Sequence, residues 1–223
     1  MIPPGNTVGS LTSVQHAILV GSLLGDGTCR KQGTRTNALF EANHSVQYKE
    51  YVDWKWKHFQ EYVSTPPKSR FGNGSRVAYR FTTRSLPIFT NYYQWLYENR
   101  KKRIPRDLIL SPLTLAVWFM DDGSRSRSAC YLNTQQFTLE DQEFLQRLLQ
   151  ETFGIESGLN RDKHYMRIRI TTESTKRLVE LIRPHVLPCF QYKLGDDPVT
   201  TDPKGEAPHV RGNTPTLAFH NRD

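Results

Sequence analysis

The chain has 223 residues, with 30 Lys plus Arg against 22 Asp plus Glu and a formal charge of +8. A 37% hydrophobic share excludes global disorder, and no stretch approaches the roughly 18 apolar residues that a membrane span needs. The opening MIPPGNTVGS lacks the basic start and apolar block of a secretory signal. Cys29, Cys130 and Cys189 are too few and too scattered for a disulfide framework or a zinc knuckle. The expectation is a soluble intracellular protein, in the cytoplasm or in the organelle that encodes it, with a polyanionic partner and no membrane contact.

In chain order, SVQHAILVGSLLGDG over 13–27 predicts a helix capped at Thr12 or Ser13 and ending at Gly27. A basic stretch over 28–35 and a β-like run over 39–43 follow. Tyr48, Tyr51, Val52, Phe59, Tyr62 and Val63 then recur at helical spacing over 47–63. Strands over 69–71 and 77–82 and a helix over 87–99 complete the unit. The same order returns after residue 111. It runs as a helix over 112–123 with Pro in its first turn, a basic stretch over 124–128, a β-like run over 131–137, a helix over 138–153 from a Thr138 cap, strands over 158–161 and 165–171, and a helix over 174–183. Both leading helices end in Asp-Gly, 96 positions apart. The fold class expected is α+β: two pseudo-symmetric αββαββα halves, 11–100 and 112–195, with 101–111 as linker. Residues 196–223, with four prolines and no apolar periodicity, read as a disordered tail. Its five acids and three bases leave about +10 on the remainder.

The leading helices carry a physical message of their own. Ala17, Gly21 and Gly25 lie at i, i+4 and i+8, a smooth face on which a second helix can approach closely; Ala116 offers an equivalent point in the second helix. Helices paired on such faces bring Asp26 and Asp122 together. Two close carboxylates repel unless a proton or a cation lies between them, and hard oxygen donors suit Mg²⁺. Taken singly, an Asp-Gly is only a helix end followed by a turn; its duplication in a basic protein favours a site.

The segments LVGSLLGDG (19–27) and LAVWFMDDG (115–123) resemble the nine-residue LAGLIDADG motif, and KKRIP (101–105), LNTQQFT (132–138) and QYKL (191–194) strengthen the match. The chain is similar to the monomeric, two-motif LAGLIDADG homing endonucleases over nearly all of 11–195. The resemblance implies metal-dependent hydrolysis of both strands of a long, imperfectly symmetric DNA site, across the minor groove with short 3′ overhangs, in the service of intron or intein mobility. It implies Asp26 and Asp122 as metal ligands, aided by the carbonyls of Gly25 and Asp121, and Lys102 and Lys193 as basic residues beside the reacting phosphates. Lys102 also belongs to the run RKKR (100–103), whose plainer reading is a phosphate-anchoring linker; the role beside the phosphate is the one favoured. Gln47 and Asn133 are candidates for a polar shell, and Leu39 stands where the first half would supply a Gln. Two departures, Val117 for a Gly and Asp121 for an Ala, predict a wider or offset helix contact.

DNA contact is expected from the strands. In MRIRI (166–170) arginine and apolar residues alternate strictly, and Arg80 lies between Tyr79 and Phe81; period two puts the arginines on an open sheet face. Arg30, Lys31, Arg35, Arg70, Arg76, Arg80, Arg84, Arg125, Arg127, Arg161, Lys163, Arg167 and Arg169 form the candidate set, on two sheets saddling the duplex. Trp54 and Trp56 read as sheet-backing core. His16, His44, His58, His164 and His185 have no ligand spacing. The rival readings are an RNA-splicing maturase, for which the acids are dispensable, and a transcription regulator, which would need an added helix-turn-helix domain.

Overall fold

Thr12 and Gln15 fix the start of the first helix, α1 (Ser13–Leu24). The Thr12 hydroxyl accepts the Gln15 amide and the Gln15 side chain accepts the Thr12 amide, a reciprocal capping box. The computed structural model describes residues 11–71 and 77–195; Arg76 and the 196–223 tail lie outside the described residues. After α1 come β1 (Thr28–Lys31), β2 (Ala38–Ser45), α2 (Lys49–His58), β3 (Lys68–Phe71), β4 (Val77–Thr82) and α3 (Pro87–Leu96). A small hairpin, β5 (Tyr97–Glu98) and β6 (Lys101–Lys102), leads into the second half. That half is α4 (Pro112–Asp122), β7 (Gly123–Ser126), β8 (Ala129–Leu132), α5 (Leu139–Phe153), β9 (Ser157–Asp162), β10 (Tyr165–Ile170) and α6 (Thr172–Ile182). The sheets run β1-β2-β4-β3 and β7-β8-β10-β9, antiparallel throughout. The same order in both is the internal repeat in three dimensions.

Each sheet is covered on one face. Tyr79 and Phe81 of β4, and Ile168 and Ile170 of β10, are buried, while Arg80, Arg167 and Arg169 take the alternate positions. Helix α2 packs on β2 and β4, and α5 packs on β9 and β10. Trp54 and Trp56 lie against the core. Among the described residues no helix is long and apolar enough to cross a membrane.

The two leading helices are buried on every side: all of Ala17–Leu24 and all of Thr114–Asp121 are inaccessible. A helix apolar all round belongs in the centre of a molecule, and α1 and α4 pack against each other there. Contact is close because α1 lacks side chains where α4 has them. A Cβ on Gly21 would stand 2.5 Å from the Thr114 carbonyl oxygen and 2.7 Å from Val117 Cβ; one on Gly25 would stand 2.4 Å from Asp121 Cβ. The expected wider contact is therefore corrected: Val117 and Asp121 fit against the two glycines.

Several boundaries differ from expectation for local reasons. Helix α1 stops at Leu24 rather than Gly27, because Gly27 N–H turns back to the Ser22 carbonyl at 2.7 Å and leaves Asp26 in a turn. The strand expected over 131–137 is β8, Ala129–Leu132. Beyond it the Thr134 hydroxyl accepts the Ile168 amide, so a side chain replaces the ladder and the chain turns away. The helix expected over 47–63 is α2 with a short 3₁₀ turn on either side. The linker expected over 101–111 opens as a strand: Asn99 and Arg100 both take positive φ (49° and 65°), as a tight hairpin turn requires.

The helix contact yields a direct prediction. Gly21→Ala destabilises the protein by about 1–3 kcal/mol through overpacking, read as a lower urea midpoint at unchanged m-value. Adding Val117→Ala recovers only part of the loss, since the Thr114 carbonyl stays in place.

Candidate active site

The C-terminal ends of α1 and α4 open into one cleft of about 670 Å³. Asp26, Asp121 and Asp122, with Glu41, Asn43 and His44 of the first half and Asn133 and Lys193 of the second, contribute to its lining. The two helix-end acids are not equivalent. Asp26 projects from the turn after α1, its side chain 45% exposed, whereas Asp122 is the last residue of α4 and is largely covered. Loss of hydration, then the charges of Asp26 and Asp121, push the Asp122 carboxyl up to about 7, against the opposing pull of Lys102 and Lys193. Asp26 and Asp122 thus bring two carboxylates, which are hard oxygen donors, to one cleft. That chemistry fits a divalent cation.

The two expected lysines reach the helix ends, one from each half. Lys102 Nζ, carried on β6, donates to the Gly25 carbonyl at 2.6 Å. Burial lowers its pKa to about 8, and Asp122, Asp121 and Asp26 pull in the opposite direction. Lys193 Nζ, on a 3₁₀ segment over Pro188–Leu194, donates to the Met120 carbonyl at 2.7 Å. A cation on the last carbonyls of a helix complements its dipole. Aromatic contacts tie the Lys193 segment to the first half: Phe190 stacks on Tyr48 at 4.8 Å, and the Tyr48 and Tyr192 hydroxyls are 3.1 Å apart. The hairpin carrying Lys102 is held to β1 by the Cys29 amide, which donates to the Tyr97 hydroxyl.

The Asp121 side chain has a place of its own. Its carboxylate is wholly buried and spoken for by Lys55 Nζ at 2.9 and 3.1 Å and the Tyr51 hydroxyl at 2.7 Å. Lys55 is equally buried and lies 4.2 Å from the centre of the Tyr51 ring. Burial pulls the Lys55 pKa down while Asp121 pulls it back. Apart from its main-chain carbonyl, Asp121 is thus part of an ion pair under the cleft.

Of the other candidates, Asn133 lines the cleft; Gln47, on an exposed 3₁₀ turn, does not. Leu39 is buried, and β2 supplies polar groups through Glu41 and Asn43 instead. From the other half the Gln136 amide reaches the Leu24 carbonyl at 3.0 Å.

The basic candidates divide into groups. Arg80, Arg167 and Arg169 lie on the open sheet faces; Arg80 is held by Glu41 at 3.2 Å, and Arg167 stacks on Tyr131 and contacts Asn133. Arg30 shares Glu41 with Arg80, at 2.9 Å. Lys31, Arg35, Arg70, Arg127, Arg161 and Lys163 are exposed, Arg127 and Lys163 in the positive-φ turns of their hairpins. Arg125 binds the Leu194 carbonyl beside the cleft. Arg84 departs from the set, because its side chain donates to the Glu61 carbonyl beyond the helix side of the first sheet.

In the sequence Tyr51 reads only as a core position, His44 only as lacking ligand spacing, and Lys55 is not singled out, although a signal exists. Tyr51, Val52, Lys55 and Phe59 share the apolar face of α2, and His44 follows Phe40 and Ala42 on the inward parity of β2.

A family model described as the LAGLIDADG DNA endonuclease family matches residues 16–178. A probable intron-encoded endonuclease 1 of Wickerhamomyces canadensis is 30% identical over 200 residues, 83% of this chain and 85% of the relative. A cytochrome b mRNA maturase bI2 of Debaryomyces hansenii is 31% identical over 193 residues, 80% of this chain and 72% of the relative. The solved homing endonuclease I-WcaI, bound to its DNA recognition sequence, matches with a TM-score of 0.78 at 26% identity, over 86% of this chain and 94% of that one. I-DmoI in complex with DNA and Ca shares the fold, with a TM-score of 0.53 at 16% identity over 76% and 89% of the two chains.

The raised Asp122 pKa has a measurable sign. From an ordinary 3.8 to about 7, the fold favours the protonated carboxyl. The contribution to stability is full below the unfolded value and is lost as pH rises through 7. Asp122→Asn removes the penalty, so the Tm of the metal-free protein at pH 8 rises by several degrees, at roughly 2–4 °C per kcal/mol. The gain shrinks as pH falls toward 5. A variant no more stable than its parent at pH 8 contradicts this electrostatic reading.

Proposed function

The chain belongs to the LAGLIDADG DNA endonuclease family, and from that membership we propose that, as a single chain, it makes a double-strand break in a long, imperfectly symmetric DNA target. The observation that carries this reading is the meeting of Asp26 and Asp122 at the ends of two closely packed helices, with a lysine on each helix end. Relatives named for intron-encoded endonuclease activity point to service in intron homing.

Asp26 and Asp122 would hold the divalent ion, which we take to be Mg²⁺, with the carbonyls of Gly25 and Asp121 as supplementary ligands; Lys102 donates to the Gly25 carbonyl. When bound, such an ion lowers the pKa of a water and stabilises charge on the phosphate and the leaving 3′-oxygen. Lys102 and Lys193 place positive charge on either side of the dyad, where negative charge builds in each strand's transition state. Being pinned to main-chain carbonyls, they reorganise little during reaction. The open faces of the two sheets continue outward from the cleft, so duplex DNA laid over them meets Arg80 in one half and Arg167 and Arg169 in the other. A guanidinium there can take guanine O6 and N7, while the exposed bases of the hairpins hold phosphates.

The likeness to a cytochrome b mRNA maturase favours a second reading. The same basic surface would bind RNA, and the acids would be spectators. Selection of cleaved duplexes from a random library in Mg²⁺ separates the two. The nuclease reading expects recovery of a defined site, and no cleaved site recovered under any divalent ion favours the maturase.

On the recovered site, Asp26→Asn or Asp122→Asn abolishes double-strand cleavage while binding in gel-shift assays is largely retained. Wild-type cutting by either variant removes that residue from the metal site. Arg167→Ala or Arg169→Ala weakens binding or relaxes base preference by about 1–3 kcal/mol where the arginine makes a bidentate base contact. An unchanged preference across a randomised site takes both out of the readout.

A further inference from the structure

Beneath the cleft a run of titratable side chains leads from the core to the first helix-end acid, and the mechanism above makes no use of it. Lys55 is buried against Asp121. His44, itself nearly buried, stands between this pair and the cleft: its Nε2 is 3.4 Å from Lys55 Nζ and 3.5 Å from Asp121 Oδ1, and its Nδ1 is 3.8 Å from Asp26 Oδ2. Tyr51 packs on the His44 ring, centroids 5.0 Å apart, and donates to Asp121. The ring is set so that Nε2 faces Lys55 and Asp121 while Nδ1 faces Asp26.

Among the described residues the second half has no such run. Strand register pairs Thr28 with Glu41 and Ser124 with Tyr131, so His44 corresponds to Thr134. Counting from the starts of α2 and α5, Lys55 corresponds to Leu145. Asp121 corresponds to Gly25. Thr134 instead closes a local bond with Gln142. The pseudo-two-fold axis thus relates an ionic network to an uncharged one.

Asp26 also differs from Asp122 in what supports it. It lies in a turn beyond the end of its helix and is well exposed, so the main chain alone does not settle the direction of its carboxylate. The partners of a ligating carboxylate orient it, and that orientation sets metal affinity.

We infer that His44 is a positioning residue for Asp26, anchored by the buried Lys55–Asp121 pair, and that it makes the two strand-cutting centres unequal. The inference rests on the nuclease reading. His44 aims the exposed carboxylate into the cleft. Lys55 and Asp121 hold the ring from its Nε2 side, and their ion pair is anchored in the core. Among the described residues the opposite centre has no counterpart to lose.

Two substitutions separate this role from simple packing. An Asn at position 44 places its amide near Nδ1, on the Asp26 side; a Gln reaches toward Nε2, on the Lys55 side. His44→Gln should weaken Mn²⁺ binding to the free protein, followed by electron paramagnetic resonance, by about 10–100-fold. It should slow one strand of the selected duplex by a similar factor, so that nicked product accumulates. His44→Asn should stay close to wild type in both measurements. Equal slowing of both strands, unchanged Mn²⁺ binding in His44→Gln, or better function from Gln than from Asn overturns the assignment. A wild-type protein that cuts no duplex defeats the nuclease reading instead, and the Mn²⁺ comparison still decides the role of His44.

Discussion

Everything in this molecule depends on how near α1 and α4 come to each other. Each helix is the first element of its half, each feeds an end strand of its own sheet, and each leads to a carboxylate. Two missing side chains, at Gly21 and Gly25, let the helices touch where Val117 and Asp121 project. Close approach joins the hydrophobic interiors of the two halves into one core. The same approach brings Asp26 and Asp122 into one cleft. Wider packing would leave two independent helix ends in place of a single anionic centre.

The charge gathered there is costly for the metal-free protein, and the chain manages it unevenly. Asp121 is neutralised in the core by Lys55 and Tyr51, a pair that could not be broken from one side without stranding a buried charge. Asp122 is left with a carboxyl that binds its proton too tightly for a surface acid. Lys102 and Lys193 spend their hydrogen bonds on helix carbonyls and still face the acids. Such a site is less stable than an apolar one would be, a usual mark of function.

Much of the fold was legible because its signals were periodic or paired. The Asp-Gly repeat at 96 positions, the alternating arginines of β10 and the helical spacing of α2 and α5 all rest on local geometry. Boundaries were less legible where a single hydrogen bond decides them: Gly27 to Ser22 ends α1 early, and the Thr134 hydroxyl ends β8. The acids and lysines of the site could be placed from the motif and its flanks. Lys55 and His44 could not, because their meaning lies in a contact with Asp121 some 66 or more positions away. Arg84 shows the converse. Its place just after β4 suggested the DNA face, and a bond to the Glu61 carbonyl turns it elsewhere.

The central claim is that the convergence of Asp26 and Asp122 creates a divalent-cation site. Diffraction at the manganese edge from crystals of the protein with its selected duplex and Mn²⁺ tests it most directly. The account predicts anomalous density within ligand distance of both carboxylates, at the base of the α1–α4 contact. Manganese held elsewhere in the cleft, by Glu41 or by Asp121 without Asp26 and Asp122, would contradict it.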